Sequence, residues 1–212
     1  MMETGGPCPS CSFETARMIV GPMDTPLDGE EELARALSSV LTADATSSLP
    51  APWQGDYPLE RARQWLKELE EDASLTPLLV TSKTALGLPQ VLGVVLTFDC
   101  RPELRLGYIL RREAWGKGLG TEVVQGLLQW LKNESSFDSV AAGVGGDNIG
   151  SQRVLEKCGF QLQPDADVGD GGELHFSISL KRLQSDLVPS ALTPISEPRK
   201  KPKSKSQNIE VK

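Results

Sequence analysis

The sequence predicts one domain of the α/β (α+β) class built on a mixed sheet, and three observations predict it. The chain has 212 residues, which suits a single core because about 150 residues per domain is usual. Its composition, 39% hydrophobic and 24% charged, is that of a globular protein. The periodicity of its apolar residues gives helices and strands that finish in a β-α-β-α-β-β order, which is typical of this class.

The first third of the domain is predicted to contain one strand and two helices. Phe13 to Val20 has the composition of a short strand. From Glu30 to Leu41 the apolar residues recur at helical spacing, and three glutamates occupy the first turn, where the helix dipole favours negative charge. Residues 43–58 are a predicted loop, and a second helix is predicted from Leu59 to Glu71.

The same patterns continue through the rest of the domain. The predicted strands are 77–84, 91–99, 104–111, 139–144, one from Phe160, and 174–180; the predicted helices are 118–132 and 150–158. Residues 84–90 contain a glycine and a proline and are the predicted turn of a hairpin.

Both ends of the chain differ from this domain in composition. The composition of residues 1–11 predicts a flexible leader, and that of residues 184–212 predicts a disordered basic tail. Residues 12–183 are therefore the predicted domain. Cys8 and Cys11 have the CxxC spacing of zinc and redox sites, but a zinc site needs two more ligands, so we expect no metal. The basic run 198–205 fits either a solvated tail or a nuclear import signal.

Charge is distributed unevenly along the chain. The net charge is -7, but residues 197–212 carry six cations and two acids, which leaves -11 on residues 1–196. This acidic body argues against specific nucleic-acid binding by the folded domain. No apolar run reaches the roughly 20 residues of a membrane span, and we expect no secretory signal. Four cysteines are too few for a disulfide framework, so we expect a cytoplasmic protein, with nuclear import through the tail as the alternative.

The segment 104–122 carries the clearest chemical signal. A predicted strand enters a turn that contains Gly116, Gly118 and Gly120, and a predicted helix leaves it. Glycines let backbone N–H groups approach an anion closely, and the first helical turn adds unpaired N–H donors. Lys117 adds a positive charge. The pattern predicts a pyrophosphate site, although its spacing is neither that of a Rossmann fingerprint nor that of a P-loop.

Four segments together carry a family resemblance: Trp115-Gly-Lys-Gly-Leu-Gly120, Asn148 to Phe160, and residues 14–20 and 58–66. They resemble the GNAT superfamily of acyltransferases, and within it the ribosomal-protein-alanine N-acetyltransferase-like subgroup. The first segment resembles the acyl-CoA motif, with Trp115 in place of the usual Gln or Arg. The resemblance covers about residues 12–182 and implies a mixed, mostly antiparallel twisted sheet flanked by helices.

This resemblance implies acetyl-CoA as co-substrate and assigns residues to it. The pyrophosphate would be held by the backbone amides of Trp115, Gly116, Lys117, Gly118, Leu119, Gly120 and Thr121. The strand that ends at Leu110 would splay from the strand at 141–144 and bind the pantetheine arm. Asn148 would contact the pantetheine and Ser151 would lie near the thioester sulfur, although both residues also fit the capping of a helix.

The resemblance further implies direct attack of an amine on the thioester, with no covalent enzyme intermediate. Many GNAT enzymes use a Tyr as general acid where this chain has Leu155, so we predict Ser151 as the acid. A Glu that is common in the subgroup is replaced by Arg105, so we predict Glu103 or Asp99 as the base. For either carboxylate, a solvated loop-end residue is the alternative interpretation.

Three further residues have two interpretations each. Tyr108 either lines the cleft or packs in the core. His175 either shapes the substrate groove or is an ordinary packed or surface residue. Trp53 either borders the acceptor site or covers the core.

Two classes of function follow. One is an acetyl-CoA-dependent N-acetyltransferase acting on a protein N-terminus or a small-molecule amine. The other is a CoA-binding or protein-interaction module without catalysis, which Leu155 and Arg105 favour. We expect acetyl-CoA and an amine as partners, neither nucleic acid nor membrane, and a monomer or weak homodimer.

Overall fold

An eight-stranded sheet forms the centre of the molecule in the computed structural model, which describes residues 11–23, 29–83, 91–134, 137–164 and 172–181. The strands are β1 (Phe13–Glu14), β2 (Met18–Pro22), β3 (Leu75–Ser82), β4 (Val91–Cys100), β5 (Glu103–Leu110), β6 (Ser139–Gly145), β7 (Gln161–Leu162) and β8 (Glu173–Ser179). Their order is β1-β2-β3-β4-β5-β6-β8-β7. Within the described ranges, only β5 and β6 pair in parallel, so the sheet is mixed and mostly antiparallel, as the family resemblance implies.

Helices cover both faces of the sheet. They are α1 (Glu30–Val40), α2 (Ala43–Thr46), α3 (Leu59–Glu71), α4 (Leu119–Glu134) and α5 (Ile149–Lys157), with 3-10 turns at Ala51–Trp53 and Arg112–Ala114. Because successive strand side chains point to opposite faces, the sheet feeds two apolar clusters. Leu104 and Leu106 join the cluster under α4 and α5, whereas Ile109 joins the cluster under α1 and α3.

The structure refines the predicted elements at three places. The single strand predicted at 13–20 is two strands, because Thr15 and Met18 close a turn in which both the backbone N–H and the hydroxyl of Thr15 bond the Met18 carbonyl at 2.9 and 3.3 Å. The loop predicted at 43–58 contains α2 and a 3-10 turn. Cys11, which we expected in the flexible leader, is fully buried in the α4–α5 cluster.

Several expectations lie outside the described residues. These are Cys8, the hairpin turn at 84–90 and the basic tail at 184–212. In the part of the chain that the structure covers, no helix is long and apolar enough for a membrane crossing. The same ranges contain no cluster of three or more His, Cys, Asp or Glu side chains that could hold a metal ion.

Candidate active site

The central feature of the site is an opening between β5 and β6. These parallel strands pair only at their beginnings, through Glu103 with Ser139, Leu104 with Val140, and Arg105 with Ala141. Beyond Arg105, β5 continues to pair with β4 as far as Leu110, and β6 continues to pair with β8. The two strands therefore diverge within one continuous sheet, as the family resemblance implies for 106–110 and 141–144.

A glycine loop lies where β5 ends and α4 begins. Gly116 and Gly118 have φ angles of 69° and 74°, in the left-handed region that side chains with a Cβ adopt only with strain. A Cβ at Gly116 would meet no atom within 4 Å, and one at Gly118 would meet only Arg17 Nη2 at 3.7 Å. The backbone here is therefore open to an approaching group, next to the first turn of a 16-residue helix.

Gly120 has a different role from the other two glycines. A Cβ at this position would lie 3.3 Å from Val154 Cγ2 and 3.9 Å from Tyr108 Cε2. The third glycine thus lets α4 pack closely against α5 and β5, which fixes the direction in which the start of α4 points.

Arg17, which sequence analysis missed, braces this loop from the turn between β1 and β2. Its Nη1 donates to the Lys117 carbonyl at 3.0 Å, and its Nε donates to Glu122 Oε2 at 2.7 Å. The backbone N–H of Arg17 donates to Glu122 Oε1 at 2.9 Å. Burial raises the pKa of Glu122, but hydrogen bonds from Thr15 and Arg17 and the charge of Arg17 outweigh burial and hold this pKa below its usual range.

A cationic cavity of about 430 Å³ lies beside the loop. Its lining includes four cations, Arg17, Lys83, Arg111 and Lys117. Lys83 pairs with Glu14 at 2.8 Å and Arg111 with Glu113 at 3.0 Å. Arg17 pairs with Glu122 in the same way, at 2.6 Å, so carboxylates partly neutralise three of the four cations and the excess of positive charge beside the loop is small.

Trp115 and Thr121 flank the glycines. The indole N–H of Trp115 donates to the Leu110 carbonyl at 2.7 Å, so the Trp115 side chain folds back over the end of β5. The Arg112 guanidinium lies 4.6 Å from the centre of the Trp115 ring. The Thr121 carbonyl accepts a hydrogen bond from the Cys158 thiol at 3.7 Å, and burial raises the pKa of this thiol to about 11.

Asn148 and Ser151 meet at the start of α5. The Asn148 side-chain oxygen accepts the backbone N–H of Ser151 at 3.0 Å and so caps the helix. The capping interpretation of Asn148 is therefore confirmed as a structural role, and contact of Asn148 with pantetheine stays a prediction.

Tyr108 lies next to Ser151 on the α4–α5 face of β5. Its hydroxyl is buried and has no hydrogen-bond partner among the described residues. Burial raises the pKa of Tyr108 to about 12, and the neighbouring Ser151 hydroxyl offsets part of the rise. The two hydroxyls are thus close enough to interact, but they do not have hydrogen-bond geometry.

The family follows from comparison with known proteins. The sequence profile of the family described as acetyltransferase (GNAT) domain matches residues 26–161. The chain belongs to the GNAT acetyltransferase family. A probable N-acetyltransferase, YjcK of Bacillus subtilis (strain 168), is 42% identical over 58 residues, which cover 27% of this chain and 32% of that protein. The match thus spans about a third of that relative.

Solved structures share this GNAT fold. RimJ of Mycobacterium smegmatis, in complex with CoA-disulfide, aligns with a TM-score of 0.68 and 16% identity over 84% of this chain and 91% of that one. Aminoglycoside acetyltransferase AAC(6')-Ib, in complex with coenzyme A, aligns with a TM-score of 0.60 and 18% identity over 79% and 98%. At these identities the likeness shows the fold, and with the family match it establishes this GNAT chain as an acyltransferase.

The two carboxylates predicted as bases lie at the closed end of the GNAT opening. Asp99 is held by Arg101, whose Nη2 lies 2.6 Å from Asp99 Oδ2, and hydrogen bonds from Arg101 hold the pKa of Asp99 below its usual range. That pairing disfavours Asp99 as a base. Glu103 lies 3.9 Å from Arg105 Nε, at the first paired level of β5 and β6, and its role stays a prediction.

Glu173, a carboxylate that sequence analysis missed, lies over Gly143, on the part of β6 that borders the opening. A Cβ built on Gly143 would lie only 2.2 Å from Glu173 Oε1, so the carboxylate covers the bare backbone of β6. The signal was the glycine itself: Gly143 interrupts an otherwise regular strand, and a strand glycine often marks close approach of another group.

Proposed function

We propose that this GNAT chain transfers the acetyl group of acetyl-CoA to an amine by direct attack. The observation that carries the proposal is that the residues around the β5–β6 opening lie on two opposite faces of the sheet. The glycine loop, Ser151 and Tyr108 lie on the α4–α5 side, whereas Glu173 lies on the opposite face. A donor and an acceptor could therefore approach one reaction centre from two sides.

The donor side fits a long anionic cofactor. The open left-handed glycines and the first turn of α4 offer backbone N–H groups to a pyrophosphate. The cations of the adjacent cavity add attraction for the phosphates. The β5 edge beyond Arg105 is not paired by β6 and can hydrogen-bond an extended amide-bearing arm. Acetyl-CoA has these parts in this order and supplies the activated acetyl group.

The acceptor side is built from alternate residues of β5, β6 and β8. Gly107, Gly143 and His175 share this face, because their sheet neighbours Leu106, Ala142 and Phe176 point into the α4–α5 cluster. The segment after α2 borders the same face, since a Cβ on Gly145 would lie 3.9 Å from the Ser48 carbonyl oxygen. Gly107 leaves room for an amine beside the opening, because a Cβ built there would meet only Leu96 Cβ, at 3.8 Å, whereas the space above Gly143 holds the Glu173 carboxylate.

Glu173 is the carboxylate best placed to receive a proton from that amine. It lies over Gly143, two residues beyond the last β5–β6 pair, whereas Glu103 is two residues before Arg105, or roughly 7 Å along the strand. A negative carboxylate also attracts a protonated amine. The acidic body of the chain favours cationic acceptors in the same way.

The proton transfers use residues of this chain and water, and they start from a neutral amine, because an ammonium must first lose a proton to solvent. As the amine nitrogen bonds to the acetyl carbon and the carbon–sulfur bond breaks, Glu173 takes the proton that nitrogen loses. The hydroxyl of Ser151 donates a proton to the departing sulfur on the other side and takes one back from water, and the proton held by Glu173 leaves to water, so both side chains return to their starting states. The products are an acetylated amine and CoA, and no covalent enzyme intermediate is required.

The test measures donor binding and turnover separately. Isothermal titration with acetyl-CoA gives the affinity, and thiol release is then followed across a panel of small amines and peptides with free N-termini. We expect binding together with turnover of at least one acceptor class. Binding without turnover on any acceptor would support the non-catalytic module instead, in line with the fully buried Leu155 at the position where many GNAT enzymes have a tyrosine.

A further inference from the structure

Tyr108 has an unusual environment for a buried tyrosine. Its ring packs with the α4–α5 cluster, yet its hydroxyl has no partner among the residues that the structure describes. A buried hydroxyl without a partner is costly, so native structures rarely keep one unless a ligand, a water or a moving side chain supplies the bond.

The neighbours of the Tyr108 hydroxyl narrow the choice of partner. Gly120 of α4 lies along the ring edge, with its Cβ position 3.9 Å from Tyr108 Cε2. The Ser151 hydroxyl is near enough to influence the ionisation of Tyr108. The Asn148 cap fixes the first turn of α5 and so holds the backbone of Ser151 in place.

We propose that Tyr108 is a positioning residue whose hydroxyl donates a hydrogen bond to Ser151 Oγ and thereby directs the Ser151 hydroxyl proton into the β5–β6 opening. The proposal deepens the proposed acetyl transfer and rests on it. A serine hydroxyl has one proton and two acceptor sites. Once Tyr108 occupies one acceptor site, the proton of Ser151 points away from the tyrosine, towards the position of the departing sulfur.

Burial suits Tyr108 to this role. With a pKa of about 12, the phenol stays protonated at neutral pH and remains a donor. Because Tyr108 directs the serine and transfers no proton itself, its removal should affect turnover and leave donor binding almost unchanged.

The test is a double-mutant cycle with Tyr108→Phe, Ser151→Ala and the double variant, using an amine that the wild type acetylates. We expect Tyr108→Phe to lower kcat about tenfold, with less than a twofold change in KM for acetyl-CoA, and to have no further effect in the Ser151→Ala background. A kcat within twofold of wild type, or losses that multiply in the double variant, would overturn the proposal. Thr97→Val is the control, because it removes another fully buried hydroxyl, one that bonds the Thr76 carbonyl of β3 rather than a group of α5; its kcat should match that of the wild type.

A second readout needs no turnover and therefore separates this proposal from the acetyltransferase proposal. The same variants are melted in saturating CoA. If the two hydroxyls bond each other, the losses in Tm for Tyr108→Phe and Ser151→Ala are not additive. Additive losses would reject the contact even if no acceptor amine is ever found.

Discussion

Removal of the Arg17 side chain should weaken CoA binding and the fold together. Arg17→Ala deletes the bonds to the Lys117 carbonyl and to Glu122, while the backbone bond of residue 17 to Glu122 remains. A hydrogen bond to a charged group contributes about 1.5–3 kcal/mol, but exposed ion pairs contribute only about 0.2–1 kcal/mol. The side chains are 50% and 19% exposed, so we expect an intermediate loss of about 1–2 kcal/mol.

The substitution has two measurable consequences. The Tm should fall by about 3–6 °C in a chain of this size. CoA binding should weaken separately, by about fivefold or more, which is a loss of at least about 1 kcal/mol, because the loop loosens and the Glu122 carboxylate is left unneutralised beside the phosphates. Differential scanning fluorimetry and isothermal titration with CoA measure the two effects.

Arg35→Ala is the matched control for Arg17→Ala. Arg35 pairs with Glu31 on α1 at 3.1 Å and is 61% exposed, so its removal should change Tm by about 1 °C or less and leave CoA affinity intact. If Arg17→Ala also bound CoA within twofold of wild type, the brace would have no role in the phosphate site and the reasoning would be refuted.

The dependence of Tm on pH under acidic conditions tests the same Arg17–Glu122 pair. The pKa of Glu122 is held below its usual range, so the stabilisation is complete above the unfolded pKa of about 4.3. It is lost as pH falls through the lower folded pKa. The Tm difference between wild type and Arg17→Ala should therefore be constant near neutral pH and shrink below about pH 4. A difference unchanged at low pH would show that Glu122 is not its source.

Three other predictions concern single residues. Gly118→Ala places a Cβ at a φ of 74°, so it should lower Tm by a few degrees and weaken CoA binding about tenfold, as titration can measure. The control, Gly55→Ala, lies outside the loop at a φ of 98° and should lower Tm alone. Equal CoA affinity in both variants would contradict the assignment of the glycine loop as the CoA site. Glu173→Gln should lower kcat at neutral pH by about a hundredfold and leave CoA affinity unchanged, and a larger loss in Glu103→Gln would move the base to Glu103. Exposed Cys100 should react with iodoacetamide well before Cys158, because the Cys158 thiol is buried and has a pKa of about 11. Peptide mass spectrometry measures the two labelling rates. Faster labelling of Cys158 would mean that α4 and α5 separate readily.

Sequence reasoning located the helices and the glycine loop because these depend on local patterns. The apolar spacing of Leu59–Glu71 gives a helix with those bounds in the structure, and the divergence of β5 and β6 lies where the family resemblance implies it. Arg17 and Glu173 were missed for a physical reason. Arg17 meets Glu122 across 105 residues, and Glu173 covers Gly143 through the pairing of β6 with β8. No local pattern records contacts of that kind.

The two-residue period of the sheet accounts for the separation of the proposed acid, Ser151, from the proposed base, Glu173. On β5, Tyr108 faces α4 and α5 while Gly107 faces the other side, and on β8 Phe176 and His175 divide in the same way. An acid on one face and a carboxylate on the other can act at the same opening without neutralising each other. A one-residue register shift in β8 would turn Glu173 into the apolar cluster and away from the opening. The same shift would turn the buried side chains of Phe176 and Ile178 out of the core, which would destabilise the fold. The position of Glu173 is therefore fixed by the packing of the core.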